Sequence, residues 1–267
     1  MTWTTRPRSD LGGGLAGIVA GDSGPRVLLI HGVGLRAEAW GAQLGALARS
    51  CRVIAVDMPG HGQSVAQDES GLADFAGRIA GVLDGPTAIA GHSMGAMIAA
   101  ELARQLPEKV SGIACLNAIH RRDPAAQQAV KARAAQLDGQ SNGDPEPTLN
   151  RWFGEDKPPA RAACRDWLSD VDPQGYRAAY RVFAEEDGPA EATLRGLACP
   201  ALFMTGALEP NSTPAMSRTM AALAPLGRAV VLPEAAHMMP MTHAAAVTAE
   251  LARLVAAAFP ETLADRS

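Results

Sequence analysis

A serine lies between two glycines at residues 91–95, in the order Gly-His-Ser-Met-Gly. The apolar run at residues 87–90 precedes it, and a helical pattern begins near Ala96. A sharp turn from a strand into a helix exposes the serine hydroxyl and leaves no room for side chains at the flanking glycines. This context predicts that Ser93 is a nucleophile.

A serine hydroxyl reacts only when a general base takes its proton. His237 lies five residues after the apolar run 229–232, in a loop that would bring an imidazole over the serine. We therefore predict His237 as the base. His92 belongs to the turn itself, and we expect its side chain to pack away from the site. His120 follows the fourth central apolar run and is expected within reach of the pocket.

The base in turn needs a carboxylate that orients its ring and stabilises the imidazolium. Glu209 follows the apolar run 201–205 by four residues and is predicted to fill this role. Glutamate is one methylene longer than the commoner aspartate, so its loop must compensate. The other position for an acid, after the fourth central run, holds Asn117, which cannot ionise. Asp123, a few residues further on, remains an alternative acid.

Acyl transfer also needs hydrogen-bond donors for the oxyanion that forms on the attacked carbonyl. The sequence His-Gly-Val-Gly at residues 31–34 follows the first central apolar run. We predict that the backbone N–H groups of Val33 and Met94 form this site, with Gly34 as the second choice for the first donor.

These residues sit at the ends of apolar runs that alternate with helical patterns. Continuous apolar runs are typical of strands buried on both faces of a parallel sheet. The alternation predicts a doubly wound α/β fold with helices on both faces and ligands at the carboxyl ends of the strands. Leu15–Ala20 is predicted as an antiparallel strand at the edge. The central runs are Arg26–Ile30, Arg52–Val56, 87–90, 111–117, 201–205 and 229–232.

One long segment breaks this alternation. Residues 119–197 contain no convincing strand and are polar and partly helical. An insertion of this length is predicted to form a helical lid over the site, with residues 1–118 and 198–267 forming the core domain. A solvated decoration without a catalytic role is the alternative.

Composition excludes several classes of protein. Apolar residues make up 47% of the 267 residues and charged residues 19%, which excludes a disordered chain. Basic residues do not cluster and aromatic residues are only 4%, so we expect no nucleic-acid partner. No apolar run is long enough to span a membrane, and none at the N-terminus looks like a secretory signal. The four cysteines lack metal-ligand spacing. We expect a cytoplasmic protein without metal or cofactor; its oligomeric state stays open.

Together the motifs HGVG, DMPGHGQS, GHSMG, GALEP and AAHMMP, in this order, resemble those of the alpha/beta hydrolase superfamily. The resemblance implies an alpha/beta-hydrolase fold and a triad of Ser93, His237 and Glu209, with oxyanion donors at Val33 and Met94. Glutamate instead of aspartate departs from the usual pattern. The aromatic residues of the predicted lid resemble those of 3-oxoadipate enol-lactonases.

The expected substrate is a small carboxylic ester or lactone. An arginine in the lid would bind a substrate carboxylate, and methionines near the site indicate an apolar, adaptable pocket. The predicted substrate contacts are Trp152, Arg151, Arg181, Met238 and His120. Three alternatives remain open: hydrolysis of a carbon–carbon bond in a vinylogous diketone, an acyltransferase, and a ligand receptor that does not turn over.

Overall fold

One sheet of eight strands runs through the computed structural model, which describes residues 3–67, 69–154, 156 and 158–261. The strands are β1 (Ser9–Gly12), β2 (Leu15–Ala20), β3 (Arg26–Ile30), β4 (Arg52–Val56), β5 (Thr87–His92), β6 (Val110–Leu116), β7 (Ala201–Gly206) and β8 (Gly227–Leu232). Their order is β1-β2-β4-β3-β5-β6-β7-β8. β2 runs antiparallel to β1 and β4, and the other neighbouring strands are parallel to each other.

Burial on both faces explains why the central strands are continuously apolar. Along β3, Val27 and Leu29 join one apolar cluster, whereas Leu28 and Ile30 join another on the opposite face. Each face must therefore be covered by helices. The predicted doubly wound fold with helices on both faces is confirmed.

The helices lie between these strands. They are α1 (Gly41–Leu47, after a 3₁₀ turn at Ala37–Trp40), α2 (Leu72–Ala80), α3 (Met94–Gln105), α4 (Pro124–Ala135), α5 (Glu146–Phe153), α6 (Pro159–Asp170), α7 (Pro173–Glu185), α8 (Glu191–Arg195), α9 (Pro214–Leu223), α10 (Met239–Thr242) and α11 (Ala244–Ala258). No helix in the described part of the chain is long and apolar enough to cross a membrane.

The edge of the sheet differs from the prediction. β2 pairs with β4 on one side and with β1 on the other, so Leu15–Ala20 is not the edge strand. β1 takes that place. Its sequence, Ser-Asp-Leu-Gly, has no apolar run and is mostly exposed, so hydrophobic periodicity could not identify it. The tight turn into β2 uses Gly12, Gly13 and Gly14, all at positive φ.

Among the residues described between β6 and β7, five helices, α4 to α8, connect these strands. An apolar cluster attaches them to the rest of the molecule: Leu149, Cys164 and Trp167 pack in it together with Leu35 and Met238. The helical character agrees with the expectation for this segment, while its limits as a lid domain at residues 119 and 197 remain a prediction.

At the end of β7 the chain packs closely against the loop that follows β8. A Cβ at Gly206 would lie 1.9 Å from the backbone oxygen of Ala235, two residues before His237. We expect Gly206→Ala to lower the free energy of unfolding by about 2–4 kcal/mol, because backbone must move. Gly45→Ala in α1 is the matched control, since a Cβ there meets nothing within 4 Å. Urea unfolding measures the free energy of unfolding of both variants. An equal change in the two would contradict the expectation.

Candidate active site

Ser93 stands at the turn between β5 and α3, with φ 57° and ψ −119°. A non-glycine residue adopts such angles at a cost of about 1–3 kcal/mol, which the surrounding packing must offset. The turn leaves no space around it: a Cβ at Gly91 would lie 1.9 Å from the oxygen of Gly95, and a Cβ at Gly95 2.3 Å from that of Ile30. The N–H of Ser93 donates to the carbonyl of Leu116 at 2.8 Å.

The structure brings His237 and Glu209 into contact. The Nδ1 atom of His237 lies 2.6 Å from Oε2 of Glu209. Since a carboxylate only accepts hydrogen bonds, Nδ1 carries the proton and Nε2 has its lone pair free to act as a base. Oε1 of Glu209 accepts from the backbone N–H groups of Asn211 (2.8 Å) and Ser212 (3.3 Å). The loop after β7 thus folds back to hold the longer side chain.

Glu209 is charged although it is 3% exposed. Burial by itself raises the pKa of this carboxyl, but the nearby His237 and the hydrogen bonds from His237, Asn211 and Ser212 outweigh it and bring the pKa below its usual range. Asp123, the alternative acid, instead caps α4 by accepting from the N–H of Ala126 at 2.8 Å.

His92 contacts His237, contrary to our expectation that it packs away from the site. Its Nε2 donates to the backbone carbonyl of His237 at 2.8 Å, and the two ring centroids are 4.9 Å apart. Burial lowers the pKa of His92 to about 3, so the ring is neutral at ordinary pH. The contact joins residues that are 145 positions apart, and no local sequence pattern signals it.

The loop after β3 lies beside Ser93, since a Cβ at Gly32 would be 3.0 Å from the serine Cβ. The N–H of Gly34 is already occupied: it donates to Nε2 of His61 at 3.0 Å. Among the hydrogen bonds of the described residues, none uses the N–H of Val33 or of Met94, which begins α3. These two donors therefore stay the predicted oxyanion site.

Two buried histidines hold this loop in place. The Nε2 atoms of His31 and His61 accept backbone N–H groups, from Met58 at 2.9 Å and from Gly34. Burial lowers the pKa of His31 to about 3 and also lowers that of His61. Both rings are therefore neutral in the folded protein at ordinary pH.

These histidines make stability depend on pH. In the unfolded chain they bind protons below about pH 6.5, whereas the folded protein does not until lower pH, so stability falls as pH decreases. His61→Gln keeps an acceptor for Gly34 and cannot be protonated. We expect it to reduce the slope of the free energy of unfolding against pH, by up to about 1.4 kcal/mol per pH unit. Urea unfolding between about pH 7 and pH 4 measures this slope; a slope equal to that of the wild type would contradict the expectation.

Ser93 and His237 line one cavity of about 150 Å³ between the sheet and the helices α4, α5 and α7. Two of the five predicted substrate contacts lie there, Arg151 and Trp152. The indole of Trp152 stacks on the imidazole of His237, with ring centroids 5.8 Å apart and an angle of 22° between the planes.

The other three predicted contacts do not line this cavity. On α7, Tyr176, Tyr180 and Phe183 face it at helical spacing, which turns Arg181 outward to a surface depression beside Asp138. Met238 is buried in the apolar cluster that attaches the helical segment. His120 is buried, and its neighbour Ile119 lines the cavity in its place.

Sequence reasoning missed two arginines that line the cavity, Arg122 and Arg133. Nε of Arg133 donates to the hydroxyl of Tyr180 at 3.1 Å, and the guanidinium of Arg122 lies 4.6 Å above the ring of Phe183. Helical periodicity is the signal that could have identified Arg133, because Ala126 and Val130 line the cavity from the same face of α4.

No carboxylate in the described part of the chain forms an ion pair with Arg122, Arg133 or Arg151. Burial lowers the pKa of Arg122 to about 10, with Asp187 offsetting part of the effect, and it also lowers that of Arg151. Among the described residues, the cavity lining therefore carries three arginines and one carboxylate, that of Asp123, together with Ser93 and His237. No group of three potential metal-ligating side chains occurs among the described residues.

Comparison with known proteins agrees with this architecture. Over 226 residues the chain is 39% identical to (E)-2-((N-methylformamido)methylene)succinate hydrolase of Acinetobacter baylyi, covering 82% of this chain and 86% of that protein. The structure of a thermophilic esterase from Thermogutta terrifontis, with malate bound, matches with a TM-score of 0.81 and 27% identity, covering 90% of this chain and 92% of that one.

The enol-lactonase of Burkholderia xenovorans LB400 matches with a TM-score of 0.82 over 93% of this chain and 99% of that one, and its 24% identity shows a shared fold alone. A model of the alpha/beta hydrolase family matches residues 27–251. Since that match extends from β3 to α11 and includes Ser93, Glu209 and His237, the chain belongs to the alpha/beta hydrolase family.

Proposed function

We propose that this protein is a serine hydrolase that cleaves an acyl–nitrogen or acyl–oxygen bond in a small substrate bearing carboxylates. The observation that carries the proposal is the cavity itself. Ser93 and His237 line it together with Asp123 and three arginines, and none of these arginines forms an ion pair with a carboxylate among the described residues. Arg122 donates to the backbone carbonyls of Phe183 and Glu186, so Arg133 and Arg151 are the freer of the three. A substrate carboxylate would supply the missing counter-charge.

The proposed reaction is acyl transfer through Ser93. Nε2 of His237 takes the proton of the Ser93 hydroxyl as its oxygen attacks the carbonyl carbon. The N–H groups of Val33 and Met94 stabilise the resulting oxyanion, and Glu209 stabilises the imidazolium. His237 then gives the proton to the leaving nitrogen or oxygen, which departs and leaves an acyl-serine. His237 then takes a proton from water, which attacks the acyl carbon, and returns that proton to the Ser93 oxygen as the acyl–oxygen bond breaks and the acid is released.

Compounds linked to two similar proteins support a substrate with carboxylates, as the cavity does. The Acinetobacter relative is named for a succinate derivative, which has two carboxylates, and malate, bound in the Thermogutta esterase, also has two. Arg151 precedes Trp152, whose ring stacks on His237, while Arg133 lies on α4 and Arg122 just before it. Two carboxylates could therefore bind to different arginines and fix the carbonyl over Ser93.

The bond proposed for cleavage is an activated one. In the compound for which the relative is named, the formyl nitrogen is attached to a carbon–carbon double bond conjugated with a carboxylate. This conjugation withdraws electrons from the nitrogen, which weakens the amide and stabilises the leaving group. An enol ester or enol-lactone has the same relation between oxygen and double bond, so the ester or lactone expected from the sequence belongs to the same chemical class.

Steady-state assays of the purified protein test the proposal. The panel contains (E)-2-((N-methylformamido)methylene)succinate, its dimethyl ester, a carboxylated enol-lactone, a simple aryl ester and a vinylogous diketone. We expect kcat/KM for the dicarboxylate to exceed that for its dimethyl ester by about 100-fold, as two charge-assisted contacts would give. Hydrolysis of the diketone alone, or binding without repeated turnover, would overturn the proposal.

A further inference from the structure

Asn117 sits beside the carboxylate that orients His237. It directly follows β6, is 2% exposed and lines the same cavity as Ser93. Its amide nitrogen lies 3.3 Å from Oε2 of Glu209, the oxygen that accepts from His237, and 3.2 Å from Oγ1 of Thr205. The amide therefore contacts the carboxylate on the side where the carboxylate meets the imidazole.

The surrounding groups fix the orientation of this amide. The hydroxyl of Thr205 donates to the carbonyl of Ser212 at 2.7 Å, so its oxygen is left to accept. The carboxylate of Glu209 also only accepts. Both neighbours therefore require N–H donors from Asn117, and only its NH₂ group supplies two. Its Oδ1 is buried and has no hydrogen-bond partner among the described residues.

We propose that Asn117 is a positioning residue that acts on His237 through Glu209. This inference rests on the proposed function. Glutamate has one more rotatable bond than aspartate, so its carboxylate must be held at both oxygens to present a fixed acceptor to the imidazole. The N–H groups of Asn211 and Ser212 hold Oε1, and the amide of Asn117 holds Oε2 beside His237. The amide is neutral and so leaves a single negative charge next to the ring.

The backbone conformation at residue 117 could by itself explain why an asparagine stands there, so the experiment must separate this explanation from the contact with Glu209. Asn117 has φ 50°, in the left-handed region where glycine, asparagine and aspartate are tolerated best. Asn117→Gly preserves that backbone preference and removes the amide. Asn117→Asp preserves both the preference and the size, but replaces the two donors by acceptors and adds a carboxyl about 3.3 Å from Glu209.

The experiment compares kcat, KM and the pH profile of kcat/KM for the wild type, both variants and Ser93→Ala. We expect Asn117→Gly to lower kcat about 10- to 100-fold, which is the effect of losing a hydrogen bond to a charged group. The change in KM should be smaller, because the contact orients the base and does not bind the substrate. Asn117→Asp is expected to move the acidic limb to higher pH, since any added negative charge stabilises the imidazolium of His237. His92, the other ring beside His237, is neutral at ordinary pH and does not produce such a shift.

Wild-type kcat in Asn117→Gly together with an unmoved acidic limb in Asn117→Asp would overturn the inference and leave the backbone conformation as the reason for asparagine. Thermal unfolding of both variants shows whether lost activity follows from lost structure; a fall in kcat that parallels unfolding also counts against the inference. Ser93→Ala separates the two proposals: if that variant keeps its activity, the proposed function fails, whatever Asn117 does. Asn142→Ala, at an asparagine that bonds backbone carbonyls outside the site, is the matched control.

Discussion

Ser93→Ala is expected to lower kcat/KM by about 10⁴- to 10⁶-fold while KM changes little. The acyl-enzyme cannot form without the hydroxyl, and residual turnover would come from binding and the oxyanion donors alone, which set the size of the loss. Steady-state assay of the dicarboxylate measures the effect. Mass spectrometry supplies a second readout, since a slow substrate should leave its acyl mass on the wild type and none on the variant.

Ser217→Ala is the matched control for this prediction. Ser217 is a buried serine whose hydroxyl has no hydrogen-bond partner among the described residues, and it lies on α9 and does not line the cavity. We expect it to keep wild-type activity. Substantial activity in Ser93→Ala, or an equal loss in both variants, would contradict the assignment of Ser93 as the nucleophile.

Arg151→Gln is expected to reduce kcat/KM for the dicarboxylate about 10- to 100-fold. Arg151 lines the cavity, donates to the hydroxyl of Thr148 at 2.7 Å and has no carboxylate partner among the described residues, so its remaining N–H groups are available to a substrate. A hydrogen bond between two charged groups is worth about 1.5–3 kcal/mol, which gives this range. For the dimethyl ester the loss should be less than about threefold, because that compound has no charge to lose.

Arg181→Gln makes the same chemical change outside the cavity. The sequence favoured Arg181 equally as a carboxylate contact, whereas in the structure it faces a surface depression next to Arg177. We expect this variant to hydrolyse both compounds like the wild type. If Arg151→Gln slowed the dicarboxylate and the diester equally, its role would be packing and not charge recognition.

Local motifs made the core of the site predictable. The glycines of the turn at Ser93 are required by backbone contacts within a few residues and one neighbouring strand, so their spacing alone signals the turn. The apolar runs likewise identified the central strands, because burial on both faces needs continuous apolar sequence. From strand order and loop position, Glu209 and His237 could be placed on facing loops before any coordinates were known.

Contacts between distant segments could not be predicted in this way. Whether an arginine of the helical segment faces the cavity depends on the rotation of its helix, and Arg133 and Arg181 differ in this respect alone. His92 and Asn117 contact the site through partners 145 and 92 positions away, with no periodicity that connects them. β1 is short and polar, and the pairing that forms it is a property of the completed sheet.

The apolar cluster that joins α5 and α6 to the core has an evolutionary consequence. Two of its members, Leu35 and Met238, follow directly on the loop that carries Val33 and on His237. A chain that exchanged this helical segment for another would have to repack side chains one or two positions from its own chemistry. New specificities in this lineage should therefore arise by substitutions on the cavity face of the existing helices more readily than by wholesale exchange of the segment.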